Sequence, residues 1–395
     1  MPMRRILSPL DLVVFLFATP AWAADSSPGN ALSLLKQIDQ GFVQVFEKVA
    51  PSVVIVEAVK KNDDNIDADF SRFDFLFRDR DNGESPKETP KEKPRSFHEN
   101  RSEGSGFIIR ADGFILTNQH VIADAEKLEV RLKDGRRFPA KLTGVDDNTD
   151  IAVIKIEAKE LPAAEMGDSD ALKVGQLVCA IGAPFNQDYS FTCGWVSGKG
   201  RANLLSPGSR SILYEDYIQT DAFINPGNSG GPLFDVEGRI VGMNTLINGI
   251  GRGLAFAIPS AMLVDVSQQL IATGKVRRSF LGVRIETLNG TPNLREQIKG
   301  LENGVFVHTI EADAPAYKSD LREGDVITAV DGVPVIAARD LQKEIVHKKI
   351  GQTIQLSVWR AGKSLQIPVT TGELPASLTR VSAPPAPNKN GPKPE

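Results

Sequence analysis

From Ser105 to Pro259 the chain is a succession of apolar runs four to six residues long, each stopped by Gly, Asp or Asn. SGFIIRADGFILTN, KLEVRLKDGRRFPAKLTGVD and DIAVIKIE make a first set; QLVCAIG, SFTCGWVSG, YIQTDA, GPLFDVEGRIVGMNT and GLAFAIP make a second. Runs so short and so often punctuated read as antiparallel strands rather than helices. Two successive sets of about six strands predict a mainly β protein with two six-stranded antiparallel β-barrels side by side. Ala261 to Thr273 has a helical pattern and would close this region.

The flanks read differently. Arg4 and Arg5, the apolar stretch Leu12–Phe17 and the triplet Ala21-Trp22-Ala23 have the order of a secretory signal peptide over 1–23, cleaved before Ala24. The apolar stretch is short for a membrane span, and an uncleaved anchor is the alternative. Ala31–Val49 is a predicted helix leading into a strand, Ser52–Val59. Residues 60–103 are charged and Pro-containing, a predicted long mobile loop with an aromatic cluster, FSRFDFLF. A third unit, 280–372, combines FLGV, GVFVHTI, LREGDVITAVDGVPV, the helical DLQKEIVHK and a closing strand pair. Residues 263–279 would be a helical linker to the barrels, and the Pro-rich tail 373–395 reads as disordered.

Net charge is −4, which leaves no electrostatic footprint for nucleic acid. No metal-ligand cluster or phosphate loop is evident, so no cofactor and no metal are expected. Cys179 and Cys193 flank Pro184–Asp188, a hairpin turn by composition. A turn centred on Asn186 sets them opposite each other on adjacent strands, near enough to bridge. Two buried thiols are the alternative.

Chemistry concentrates in QTDAFINPGNSGGPL, Gln219–Leu233. Gly227-Asn228-Ser229-Gly230-Gly231 matches G-x-S-x-G, a pattern two architectures use. A hydrolase elbow needs a helix after the serine, and here strand, turn and strand follow. The other arrangement orders His, Asp, Ser along the chain. His98 lies in the charged loop, and His308 and His347 belong to the third unit. His120, at the end of the strand in ILTNQHVI, is placed to face the junction between barrels. Asp150 immediately precedes the apolar strand of DDNTDIAVIKI and is the candidate acid; Asp146 and Asp147 read as solvated turn residues.

Together, TNQHV, TDIAV and QTDAFINPGNSGGPL resemble the three catalytic motifs of the HtrA/Deg family of trypsin-like serine proteases. SGFII, GDSDALKVG and FAIPS extend the resemblance over about residues 40–372. It implies His120 as general base, Asp150 as its orienting acid and Ser229 as nucleophile. Backbone N–H groups of Gly227 and Ser229 would form the oxyanion hole, and glycine at 227 permits the backbone conformation this requires. Leu246, Ile247 and Leu254 would line a pocket for small or medium apolar side chains. Arg252, and Ala255 where the family often has glycine, depart from the pattern there. Phe280-Leu281-Gly282-Val283 resembles the carboxylate-binding loop of a PDZ domain, which captures C-terminal peptides by strand addition.

The implied protein is an ATP-independent periplasmic endoprotease of quality control and stress response, acting on unfolded proteins and C-terminal peptides. A homotrimer or a multiple of trimers is the family expectation. Two other readings fit the same features. One is a chaperone or scaffold with a latent site, suggested by the long loop. The other is a regulatory protease for one membrane-associated signalling protein.

Overall fold

The computed structural model describes residues 28–60, 101–182, 189–202, 215–225, 227–247, 254–290, 294–295, 298 and 300–375. The predicted signal segment, the aromatic cluster of 70–77, His98, the expected hairpin turn Pro184–Asp188, Arg252 and most of the tail lie outside these. The chain divides into two compact units, 1–45 and 46–395. The first is represented by most of the helix Pro28–Val49, where Leu32, Leu34, Leu35 and Ile38 are exposed. No helix among the described residues is long and apolar enough to cross a membrane.

In the second unit, β1 (Val53–Lys60), β2 (Arg101–Ile108), β3 (Phe114–Asn118), β4 (Ala125–Leu132), β5 (Arg137–Asp146) and β6 (Ile151–Ile156) close into one antiparallel barrel, in the order β1-β2-β3-β6-β5-β4. A second barrel comprises β7 (Leu177–Gly182), β8 (Ser190–Arg201), β9 (Tyr217–Thr220), β10 (Pro232–Asp235), β11 (Ile240–Ile247) and β12 (Ala255–Pro259). Strand side chains alternate between faces, so Val54, Val56, Ile108, Ile115 and Ile154 fill the first interior. Val178, Ala180, Val196, Ile218 and Leu233 fill the second.

Lys60 and Arg101–Glu103, read above as loop, are strand residues. Pairing of β1 with β2 persists to Val59↔Arg101 because β1 is held on its other edge by β4. Cys179 and Cys193 are direct cross-strand partners and are joined by a disulfide.

A helix, Ser260–Thr273, leaves the second barrel and returns to the first. It buries Leu263, Val266 and Leu270, one stripe at helical spacing. Gly274 ends it at φ 72°, with its N–H on Leu270 O. The helix end lies so close to β5 that a Cβ on Gly144 would fall 2.7 Å from Gly274 O.

The predicted helical linker is helical only to Thr273: Gly274 terminates it, and non-helical residues 274–278 lead to the third module. Its strands are β13 (Ser279–Phe280), β14 (Val283–Thr287), β15 (Val305–Ile310), β16 (Val326–Val330), β17 (Val333–Pro334), β18 (Thr353–Arg360), β19 (Lys363–Thr370) and β20 (Gly372–Glu373). The main sheet runs β14-β15-β16-β18-β19, with β17 on β16 and a separate β13–β20 pair. The helix Ala338–Val346 buries Leu341 and Ile345 against it.

In this linker the guanidinium of Arg278 meets the carboxylate of Asp146 through two hydrogen bonds, both side chains 5% exposed. Thr149 Oγ1 donates to the same carboxylate. Asp146 is therefore not the solvated turn residue expected. It is the buried last residue of β5, and its counter-charge arrives from 132 residues further along the chain.

Candidate active site

The end of β3 runs into a single helical turn, Gln119–Ile122, that carries His120. Four contacts fasten this turn to Asp150. Asn118 Nδ2 and Gln119 N donate to Asp150 O at 3.0 and 3.1 Å. His120 N donates to Oδ1 at 3.0 Å, and His120 Nδ1 lies 2.7 Å from Oδ2. Asp150 can present both oxygens this way because its backbone adopts φ 59°, a left-handed conformation that Asp tolerates better than most side chains.

An ionised carboxylate only accepts hydrogen bonds, so the proton of a neutral His120 sits on Nδ1 and Nε2 keeps its lone pair. Asp150 is 6% exposed. Its charge is felt by the buried Tyr217 phenol, which burial above all, then Asp150 and Glu215, push well above the ordinary tyrosine range.

Sequence reasoning missed Thr245. Its hydroxyl, in β11 of the other barrel, donates to Asp150 Oδ2 at 2.7 Å. The only sequence signal was a polar pair, Asn244-Thr245, inside an apolar strand. Nothing local joins it to a carboxylate 95 residues away.

Ser229 is buried at 8% exposure in the turn before β10. Its carbonyl accepts from Ser105 N of β2 at 2.8 Å, so the first barrel holds the turn directly. Gly230 has φ 83°, and a Cβ there would lie 2.1 Å from Ser105 O and 3.2 Å from Asn118 N. The residue after Ser229 thus packs against the strand end that precedes His120, a closeness glycine alone allows. Gly227 has φ 101° and its carbonyl accepts from Ser105 Oγ at 2.6 Å. Asn228 is buried against Gly182, where a Cβ would come within 2.7 Å of Asn228 Cα.

The arrangement offers a hydroxyl in a glycine-lined turn packed on the strand end that leads to an imidazole whose tautomer is set by a buried carboxylate. Such a set is suited to nucleophilic acyl transfer. Leu254 is partly buried just before β12; the side chains of Leu246 and Ile247 lie outside the described residues. A cleft of about 530 Å³ lies elsewhere: Thr149, Asp216, Met262, Arg278, Arg339 and Lys343 contribute to its lining. It separates the barrels from the third module, which they also touch directly through Arg339 Nη1 on Gly200 O at 2.6 Å.

In the third module, Phe280–Val283 forms a tight entry to β14. Leu281 O accepts from Ala316 N at 2.8 Å and Gly282 O from Glu311 N at 2.9 Å. Carbonyl and N–H of one trans peptide point oppositely, so the N–H groups of Gly282 and Val283 face away from that turn. Gly282, at φ 77°, also leaves room for Ala314, whose Cβ would be 2.1 Å from a Cβ at 282.

Comparison with known proteins agrees with this geometry. Residues 104–243 match the trypsin-like peptidase domain and 279–371 the PDZ domain. A probable periplasmic serine endoprotease, DegP-like, of Pseudomonas putida (strain W619) is 41% identical over 85% of this chain and 70% of its own length. Its namesake in Chlamydia muridarum is 37% identical over 95% and 80%. Among solved structures, the HtrA-type protease AlgW with a tripeptide has TM-score 0.67 and 34% identity, covering 85% of this chain and 97% of its own. A serine endoprotease from Yersinia pestis has TM-score 0.58 and 30% identity, covering 85% and 98%. With its paired barrels, its PDZ module and these relatives, the chain belongs to the HtrA, or DegP-like, family of periplasmic trypsin-like serine endoproteases.

Proposed function

We propose that Ser229 is the nucleophile of an ATP-independent endoprotease that cuts unfolded exported proteins after small or medium apolar residues. His120 Nε2 takes the Ser229 proton as Oγ attacks the scissile carbonyl, then delivers it to the leaving amine. Asp150 keeps Nδ1 protonated and stabilises the imidazolium formed in between. The N–H groups of Gly227 and Ser229 bind the oxyanion of the tetrahedral intermediate. Water then hydrolyses the acyl-enzyme through the same base. The observation that carries this reading is the His120–Asp150 contact at 2.7 Å on a turn that abuts Gly230.

The PDZ module would bind exposed C-termini and regulate the protease site. The outward N–H groups of Gly282 and Val283 support this, as does the structure of AlgW with a decapeptide. Assembly as a trimer is the corresponding expectation.

The test is fluorophosphonate labelling and casein degradation by the purified chain, with and without hydrophobic C-terminal peptides. Both activities should vanish in Ser229→Ala, and peptide should raise the labelling rate. Undiminished casein cleavage by Ser229→Ala would overturn the assignment.

A further inference from the structure

The Cys179–Cys193 bridge joins β7 to β8, and these two strands hold opposite ends of the turn that carries Gly227 and Ser229. On the β7 side, Gly182 lies against Asn228, and a Cβ on Gly231 would fall 2.4 Å from Ile181 O. Cys179 is also the direct partner of Phe234 in β10, the strand by which the chain leaves Ser229. On the β8 side, Thr192 Oγ1 donates to Phe223 O at 2.9 Å, and Trp195 N donates to the Asp221 carboxylate. Between them, a Cβ on Gly194 would stand 2.2 Å from Ala222 N. Residues 221–223 therefore rest on β8 and residues 228–231 on β7. The spacing of these strands sets the spacing of the two stems, and with it the direction of the Gly227 and Ser229 N–H groups.

The bridge falls where that spacing is otherwise least supported. From Ser190 to Trp195, β8 is paired with β7 alone, because its pairing with β9 begins only at Val196↔Thr220. Cys193 lies inside this singly paired stretch. It is half-buried, whereas Cys179 is 1% exposed, so a thiol reaches the bridge from the Cys193 side. One thiolate of a dithiol attacks Cys193 Sγ, the bond to Cys179 breaks, and Cys179 Sγ takes up a proton. The second thiol then displaces Cys193, which is protonated in turn. The dithiol leaves as a disulfide, and two electrons have passed to the protein.

We propose that the Cys179–Cys193 bridge positions the oxyanion turn, and that its reduction by a dithiol switches the protease off while the fold persists. This rests on the roles given above to Ser229 and to the Gly227 and Ser229 N–H groups. His120 and Asp150 meet between the end of β3 and the start of β6, so their contact does not pass through β7 or β8.

The test follows fluorophosphonate labelling of Ser229 in the full chain, well below its melting temperature. The samples are the oxidised protein, the same protein treated with dithiothreitol, the reduced protein reoxidised with glutathione disulfide, and Cys179→Ala/Cys193→Ala. Thiol titration reports the state of the bridge, and circular dichroism that of the fold. Reduction should slow labelling about ten- to hundred-fold with the dichroism unchanged, and reoxidation should restore it. The double variant should be slow with or without dithiothreitol. The pH midpoint of labelling should be the same in both redox states, because the His120–Asp150 pair is untouched. A reduced chain that labels within about two-fold of the oxidised one overturns the proposal, even if its melting temperature falls. So does a shifted pH midpoint, which would place the effect on His120, or a loss of dichroism, which would make the bridge a fold requirement. No labelling of the oxidised chain overturns the Ser229 assignment and the proposal with it.

Discussion

Replacing Arg278 by Met would remove one partner from a pair in which both side chains are 5% exposed. Asp146 would keep only the Thr149 hydroxyl among its described side-chain hydrogen bonds. Breaking a buried pair on one side costs about 3–5 kcal/mol, because a charge is stranded away from water. At about 2–4 °C per kcal/mol for a unit of this size, the melting temperature should fall by about 6–20 °C. Asp146→Leu should also be destabilising, because it takes the facing carboxylate away from a buried guanidinium. The double variant strands neither charge and should return to within about 1–2 kcal/mol of the parent. The measurement is urea unfolding of the four proteins at one pH, analysed as a double-mutant cycle. Coupling of several kcal/mol is expected. A loss below about 1 kcal/mol for Arg278→Met, or strictly additive losses, would refute the argument from buried charge.

Three shorter predictions follow from the site. Thr245→Val removes a donor worth about 1.5–3 kcal/mol to a charged acceptor; it should slow fluorophosphonate labelling of Ser229 about ten-fold and lower Tm by about 3–12 °C. Gly230→Ala drives a Cβ to 2.1 Å from Ser105 O at a left-handed φ. It should lose about 2–4 kcal/mol of stability and nearly all labelling, read in the same samples by calorimetry and gel. Glu103 has its carboxyl raised above the ordinary value, by burial first and then by Glu57. The fold penalises its charged form, and that penalty grows as pH rises through this raised range. Glu103→Gln should therefore raise Tm by about 1–2 °C at pH 8, with the gain gone near pH 4.

What could be read from residues alone was whatever repeats locally. The alternating apolar runs and their turn residues outlined both barrels, and the opposed cysteines followed from a hairpin turn. Gly227 stood out because it has no Cβ to obstruct the backbone it adopts, whereas the close approach at Gly230 did not. Contacts made across long stretches of chain were invisible. Asp146 looks like a loop carboxylate until Arg278 is placed beside it. Thr245 looks like one more strand threonine until the second barrel brings it to Asp150. The start of β2 was lost for a related reason: RSE is as charged as the segment before it, and only pairing with β1 makes it a strand.

The hydrogen bond from Thr245 to Asp150, and that from Ser105 to the Ser229 carbonyl, both cross from one barrel to the other. A chain emerging into an export compartment must build the first barrel before the second exists. On the proposed assignment, the acid and imidazole are then present without the nucleophile, and the hydroxyl, when it comes, is correctly held only after docking. Reactivity is thereby deferred until folding is complete, a safeguard inherent in where the components are encoded. The same dependence makes the site an early casualty of damage: any loosening between the barrels would silence the enzyme before it unfolds.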